Sequence, residues 1–146
     1  MSNMTDLPAF QPLALFTVLL VLKMGGVAFY TAARRAGSKV VINPEDVGVN
    51  PGSHVETVEA PAVLRAKRAH MNDLENIPAF LAVATLYTLA GGTSTGAWAY
   101  FAAYFVFRLG HTLCYVGQLQ PWRTAMFGLG QLTLVGLAVN LLMLAF

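Results

Sequence analysis

The sequence contains few charged residues. Only 11% of its 146 residues are Asp, Glu, Lys or Arg, against about 25% in an ordinary soluble domain. Hydrophobic residues make up 56% of the chain. This balance leaves too few charges to coat a soluble globule, so we expect lipid to be the solvent for much of the chain.

Cysteine and basic runs are also scarce. Cys114 is the only cysteine, which excludes an internal disulfide framework. The formal net charge is +2 without a basic run, so we expect no nucleic-acid partner. His111 has no partner at metal-ligand spacing, so we expect no metal site. The N-terminus lacks the basic flank of a cleavable signal, so the first apolar segment is predicted to be retained.

Four segments are apolar and long enough to cross a bilayer as helices, which takes about 20 residues each. We call them spans one to four, and they cover residues 8–33, 61–90, 97–119 and 122–146. Gly and Ser residues end span two, and Gln120-Pro121 ends span three. The sequence therefore predicts an all-α fold, a single membrane domain over residues 1–146 built as a four-helix bundle.

Residues 36–59 differ from the spans, since they are rich in Gly, Pro, Asn and carboxylates. We predict a solvated loop there, with a short helix after Pro44. Most Lys and Arg residues lie in this loop or beside it: Arg34, Arg35, Lys39, Arg65, Lys67 and Arg68. The positive-inside rule then places the loop in the cytoplasm. The chain is predicted to be a multi-pass protein of a bacterial inner membrane or an organelle membrane, with both ends on the opposite side.

Spans two and three each carry a polar stripe at a depth where ionisable groups are costly and usually functional. Each stripe has steps of three, four and three residues, which places its members on one helix face. The stripes are Arg65, Arg68, Asn72 and Glu75 on span two, and Arg108, His111, Tyr115 and Gln118 on span three. Both lie in the predicted cytoplasmic half, and Arg123 opens span four at the same level.

The stripes favour a small anionic ligand that also carries an ammonium group. Guanidinium groups bind carboxylates bidentately, and Glu75 is an acceptor for the ammonium. A structural interpretation stands beside this one. Lys23, Arg65 and Lys67 could extend to the interface, and Arg68 could form an internal ion pair with Glu75.

Residues 68–78 carry a long motif, RAHMNDLENIP. It resembles the signature of the membrane-associated proteins in eicosanoid and glutathione metabolism, the MAPEG family. Further matches follow in the family's order: Lys23, Asn43 to Asp46, Arg108, His111-Thr112, Tyr115 and Arg123. The resemblance covers nearly the whole chain.

This resemblance implies a homotrimer with glutathione bound as co-substrate between neighbouring subunits, near the cytoplasmic face. The residues implied to hold glutathione are Arg35, Arg68, Asn72, Glu75, Arg108, His111 and Tyr115. Arg123 and Thr124 would lie beside the sulfur as catalytic residues. Secondary candidates are His70, Asp73 and, from the adjoining subunit, Asp46.

The implied activity is conjugation of glutathione to hydrophobic electrophiles that arrive from the lipid, with reduction of lipid hydroperoxides. Met71 and Phe127 depart from the family's prostaglandin synthases and favour its transferases, while Thr124 replaces a serine and Pro78 stands one place early. Three alternatives stay open. They are a prostaglandin-endoperoxide isomerase, a non-catalytic lipid-binding partner protein, and a small channel or transporter.

Overall fold

The computed structural model describes residues 3–146 and contains four long helices. These are α1 (Phe10–Ser38), α3 (Pro61–Leu89), α4 (Ser94–Val116) and α5 (Trp122–Ala145), and a short 3-10 helix, Met4–Asp6, precedes α1. One long helix lies at each predicted span. The first two residues of the predicted domain lie outside the described residues.

The connection between α1 and α3 holds three short elements. They are β1 (Val40–Val41), α2 (Asp46–Val49) and β2 (His54–Val55). The strands pair in parallel, with Val40 opposite His54. The helix α2 lies where the sequence predicts a short helix. The strand pair was not predicted, because two-residue strands are too short to show an alternating pattern.

The largest differences from the predicted spans lie at the end of α1 and at both ends of α4, where the helix limits differ by three to five residues. Helix α1 continues past Arg34 and Arg35, which are good helix formers, and ends at Ser38, where Lys39 follows with φ 56°. Helix α4 begins at Ser94, because the Thr93 side chain caps it and accepts a hydrogen bond from the Gly96 backbone N–H at 3.1 Å. The spans were placed on apolar residues alone, which excludes polar first and last turns.

Helices α3 and α4 lie at the centre, and each contacts both α1 and α5. Aromatic rings fill the space between α3 and α4. The Phe80 ring stacks on Tyr104 with centroids 3.8 Å apart and meets Phe101 edge-on at 5.7 Å. The Tyr104 hydroxyl also donates to the Asn76 backbone oxygen at 3.0 Å. Ring packing of this kind stabilises the contact between α3 and α4.

The outer faces of α1 and α5 are apolar and exposed. Leu22, Phe29, Leu132 and Met143 are examples, with 66% to 78% of each side chain accessible. Both helices are long and apolar enough to cross a membrane. Surfaces of this extent mark contact with lipid or with another protein.

A buried charge cluster joins three of the long helices. Asp73 on α3 is fully buried, and its Oδ1 accepts from Lys23 Nζ of α1 at 2.5 Å and from Arg108 Nη2 of α4 at 3.1 Å. The Lys23 side chain is only 5% exposed, so the interpretation that it extends to the interface is wrong. One carboxylate thus neutralises part of the charge of two buried cations.

We predict that Asp73→Asn destabilises the protein by about 3–5 kcal/mol, because it leaves two buried cations without an anion. Thermal unfolding of the purified protein in detergent measures this. Glu45→Gln is the matched control, since Glu45 is an exposed carboxylate on the connection. A loss for Asp73→Asn no larger than that of the control would contradict the structural role of the cluster.

Candidate functional site

A polar cavity of about 240 Å³ opens beside the turn between α4 and α5. We call it the arginine cavity, and its lining residues are Arg65, Arg68, Tyr115, Gln118, Gln120 and Arg123. Helix α3 supplies two of the three guanidinium groups and α5 supplies the third. Five of these six residues, all except Gln120, belong to the stripes and helix start singled out in the sequence.

Arg123 contacts the ring of another residue that lines this cavity, Tyr115. Its Cζ lies 4.6 Å from the centroid of the Tyr115 ring, which is within the range of a cation–π contact. Tyr115 in turn meets the His111 ring edge-on, with centroids 5.6 Å apart. His111 is 3% exposed and also lies against Phe127. Tyr115 therefore lies between two groups: the His111 ring contacts it on the buried side, and the Arg123 guanidinium of α5 contacts it in the cavity.

Gln120 also contacts Arg123, and sequence reasoning missed it. With its amide oxygen toward the guanidinium, Gln120 accepts from Arg123 Nη2 at 2.6 Å and from Nε at 3.1 Å. Its amide nitrogen then lies 3.1 Å from Thr124 Oγ1. The sequence treats Gln120 only as part of a helix break. Its spacing of three and four residues from Arg123 and Thr124 is the signal that could have found it.

Arg108 does not line the arginine cavity, although it belongs to the α4 stripe. It is 1% exposed, and its Nη2 donates to the Asn72 backbone oxygen at 3.0 Å and to Asn72 Oδ1 at 2.6 Å. Its charge is directed at Asp73 and Asn72 inside the chain. The amide oxygen of Asn72 is therefore engaged, and its Nδ2 remains to act as a donor.

The other members of the α3 stripe are more accessible. Glu75 and Arg68 are exposed, and Asn72 and Arg65 are half-buried. Within residues 3–146 no ion pair joins Arg68 to Glu75. Both charges thus remain available to a ligand.

The structure does not bring Arg35, His70 or Asp46 to the arginine cavity. Arg35 and Asp46 line a separate cavity of about 240 Å³ beside β1 and α2. Arg35, Lys67 and His70 line another, of about 260 Å³, together with Met71. We call this side of the chain the Glu59 face.

Glu59 neutralises the two cations of that face. Its Oε1 accepts from Arg35 Nη2 at 2.7 Å, and its Oε2 accepts from Lys67 Nζ at 2.8 Å. Burial alone raises the pKa of a carboxyl, but hydrogen bonds from Lys67 and Arg35 and their charges outweigh it here. The pKa of Glu59 therefore lies below its ordinary value of 4.5.

Comparison with known proteins identifies the family of this chain. The model of the MAPEG family matches residues 13–143. The chain belongs to the MAPEG family. The resemblance inferred from the sequence motif is confirmed, and members of this family are membrane-associated.

Relatives with two different names match nearly the whole length of this chain. Prostaglandin E synthase of Homo sapiens is 36% identical over 136 residues, covering 92% of this chain and 89% of that protein. Microsomal glutathione S-transferase 1 of Bos taurus is 34% identical over 148 residues, covering 97% and 94%. The same transferase of Sus scrofa is 35% identical over 151 residues, covering 97% and 96%. Identities this close do not favour either activity.

The depressed pKa of Glu59 generates a prediction for acid stability. A carboxylate whose pKa is lowered by folding stabilises the native state above its unfolded pKa, and this stabilisation is lost as pH falls through the folded pKa. We expect the melting temperature of the wild type to fall as pH decreases below about 4.5. Glu59→Gln should melt lower at pH 7 and show a smaller acid-induced decrease, because its amide does not titrate.

Melting temperatures measured from pH 7 to pH 3 test this. Glu45→Gln, an exposed carboxylate, should keep the wild-type pH dependence. The same acid-induced decrease in Glu59→Gln as in the wild type would show that the Arg35–Glu59–Lys67 contacts do not stabilise the fold.

Proposed function

We propose that this protein is a membrane-bound glutathione transferase that conjugates glutathione to hydrophobic electrophiles. With a lipid hydroperoxide, two glutathione molecules would be oxidised to the disulfide while the hydroperoxide is reduced to an alcohol and water. The observation that carries the proposal is the arginine cavity, in which Arg65, Arg68 and Arg123 surround one space beside Tyr115. Three guanidinium groups without a carboxylate among the lining residues attract an anionic ligand.

Glutathione fits this charge pattern, since it carries two carboxylates, one ammonium group and a thiol. In our assignment, the carboxylates bind the guanidinium groups of the cavity, and Arg68 is the principal partner. Glu75 takes the γ-glutamyl ammonium. Asn72 donates through Nδ2, and Tyr115, backed by His111, forms the wall along the peptide.

Arg108 supports the same site from inside the chain. Its hydrogen bond to Asn72 Oδ1 orients the side-chain amide so that the oxygen faces inward, and a second hydrogen bond goes to the Asn72 backbone oxygen. Asp73, which also binds Lys23, holds the guanidinium in place. In this proposal, Arg108 and Asp73 act on glutathione through Asn72 rather than by contact.

Catalysis would rest on stabilisation of the thiolate. A free thiol has a pKa of about 8.5 and is mostly protonated at neutral pH. The Arg123 charge favours the ionised form, and the Thr124 hydroxyl donates a hydrogen bond to the sulfur. With a chlorinated aromatic electrophile, the sulfur attacks the carbon that carries chlorine, the C–S bond forms, and chloride leaves. The thiol proton passes to solvent when the thiolate forms.

The Glu59 face supports a site shared between subunits. Arg35 and Asp46 line a cavity that shares no residue with the arginine cavity. In a homotrimer, the Glu59 face of one subunit would meet the arginine cavity of the next. Arg35 and Asp46 would then complete the site across the interface, with His70 nearby.

We further propose that all four long helices cross the membrane as a four-helix bundle, with this site near the cytoplasmic face. The arginines at that end of α1, α3 and α5 agree with the positive-inside rule. The apolar outer faces of α1 and α5 would contact lipid. A hydrophobic electrophile could then enter the site sideways from the bilayer.

One alternative has an observation of its own in its favour. Relatives named prostaglandin E synthase match the chain as closely as the transferases do, which supports a glutathione-dependent prostaglandin-endoperoxide isomerase. Met71 and Phe127 weigh against it. The convergence of three arginines weighs against a purely lipid-binding partner protein.

The test is conjugation of glutathione to chlorodinitrobenzene by the purified protein in detergent. We expect a rate well above the uncatalysed reaction, and a loss of about tenfold or more for Arg123→Ala, since one charge contact to a thiolate is worth about 1.5–3 kcal/mol. Incubation with the prostaglandin endoperoxide, followed by product analysis, tests the alternative.

Arg34→Ala is the matched control. Arg34 also stacks on a tyrosine, with its Cζ 5.1 Å from the Tyr30 ring, and it lies outside the arginine cavity. It should keep the wild-type rate. A wild-type rate equal to the uncatalysed reaction would refute the transferase proposal for this substrate.

A further inference from the structure

We propose that Gln120 is a positioning residue of the thiol site, which fixes the Arg123 guanidinium and leaves the Thr124 hydroxyl proton free for the glutathione sulfur. This inference rests on the proposed transferase function. Gln120 lies in the turn between α4 and α5, outside the motif of residues 68–78.

The first part of the argument concerns Arg123. Its guanidinium has five N–H donors and no acceptor. Gln120 engages one donor on Nε and one on Nη2, at 3.1 Å and 2.6 Å. The donors that remain lie on Nη1 and on the far side of Nη2, which is the edge directed away from Gln120. Together with the Tyr115 ring on its face, Gln120 thus selects the edge that a ligand can reach.

The second part concerns Thr124. Because the amide oxygen of Gln120 must face the donors of Arg123, its nitrogen faces Thr124 Oγ1 at 3.1 Å. That N–H donates to the hydroxyl oxygen and occupies one lone pair. The single hydroxyl proton then remains to be donated elsewhere. In the opposite amide orientation, the Gln120 oxygen would accept the Thr124 hydroxyl proton. The Gln120 N–H groups would then face the N–H groups of Arg123, and neither could accept.

The neutrality of Gln120 is the third part. A carboxylate at this position would also bind the Nε and Nη2 edge, but it would cancel the charge of Arg123 and repel a thiolate. It would also have no N–H to donate to Thr124. Glutamine is the side chain that holds both groups without removing the positive potential at the sulfur.

The experiment compares the ionisation of bound glutathione in the wild type, Gln120→Met and Gln120→Glu, by following thiolate ultraviolet absorbance against pH. Gln120→Met removes both contacts at similar length. We expect it to lower the bound thiolate fraction at neutral pH about threefold to tenfold, as the loss of a hydrogen bond to a charged group predicts. Gln120→Glu should lower it further. Glutathione affinity, measured by calorimetry at a pH low enough that the bound sulfur is a thiol in both proteins, should change little in Gln120→Met, since the variant loses only stabilisation of the thiolate.

Gln120 is exposed, so its variants should fold, and Gln11→Ala, an exposed glutamine on α1, is the control. A merely structural role would change the melting temperature without moving the thiolate titration. Identical titrations in the wild type and both variants would overturn the role of Gln120 and leave the transferase proposal intact. A wild type that binds no glutathione, or binds it without a thiolate signal, would overturn both.

Discussion

One fully buried carboxylate joins three of the four long helices. Asp73 joins α3 to Lys23 of α1 and to Arg108 of α4, in a region where each uncompensated charge would be costly. Arg108 then holds Asn72 with two further hydrogen bonds. The interaction that sets the rotation of α3 against its neighbours therefore also sets which way the α3 stripe faces. The arginine cavity depends on that rotation, since two of its guanidinium groups come from α3.

In the part of the chain that the structure describes, the arginine and lysine side chains of the Glu59 face are paired with a carboxylate, whereas those of the arginine cavity are not. On the Glu59 face, one carboxylate pairs with Arg35 and Lys67. In the arginine cavity, polar and aromatic groups orient the cations without neutralising them: Tyr115 stacks on Arg123 and Gln120 accepts from it. This contrast is why the cavity, and not the Glu59 face, is the candidate site for an anionic peptide. In the proposed transferase, the same contrast favours the thiolate over the thiol as the state of the bound sulfur.

Much of the site could be predicted from the sequence, because helical periodicity places residues on faces. The three-four-three spacing brought Arg65 and Arg68 to one side of α3 and Tyr115 to the matching side of α4. Periodicity gives no measure of depth, however. Arg108 shares the stripe of Tyr115 but lies two turns away, about 10 Å along the helix, where it meets Asp73 and not the cavity. Which side of α1 Arg35 occupies, and which way the Gln120 amide turns, depend on contacts between elements that the sequence does not display.

The most direct test of the central claim is a calorimetric titration of the purified protein with glutathione, compared with Arg68→Ala and Arg34→Ala. Saturable heat in the wild type, unchanged affinity in Arg34→Ala and affinity reduced about tenfold or more in Arg68→Ala would agree with an arginine cavity that binds the tripeptide. No heat in the wild type, or equal affinity in all three proteins, would contradict it.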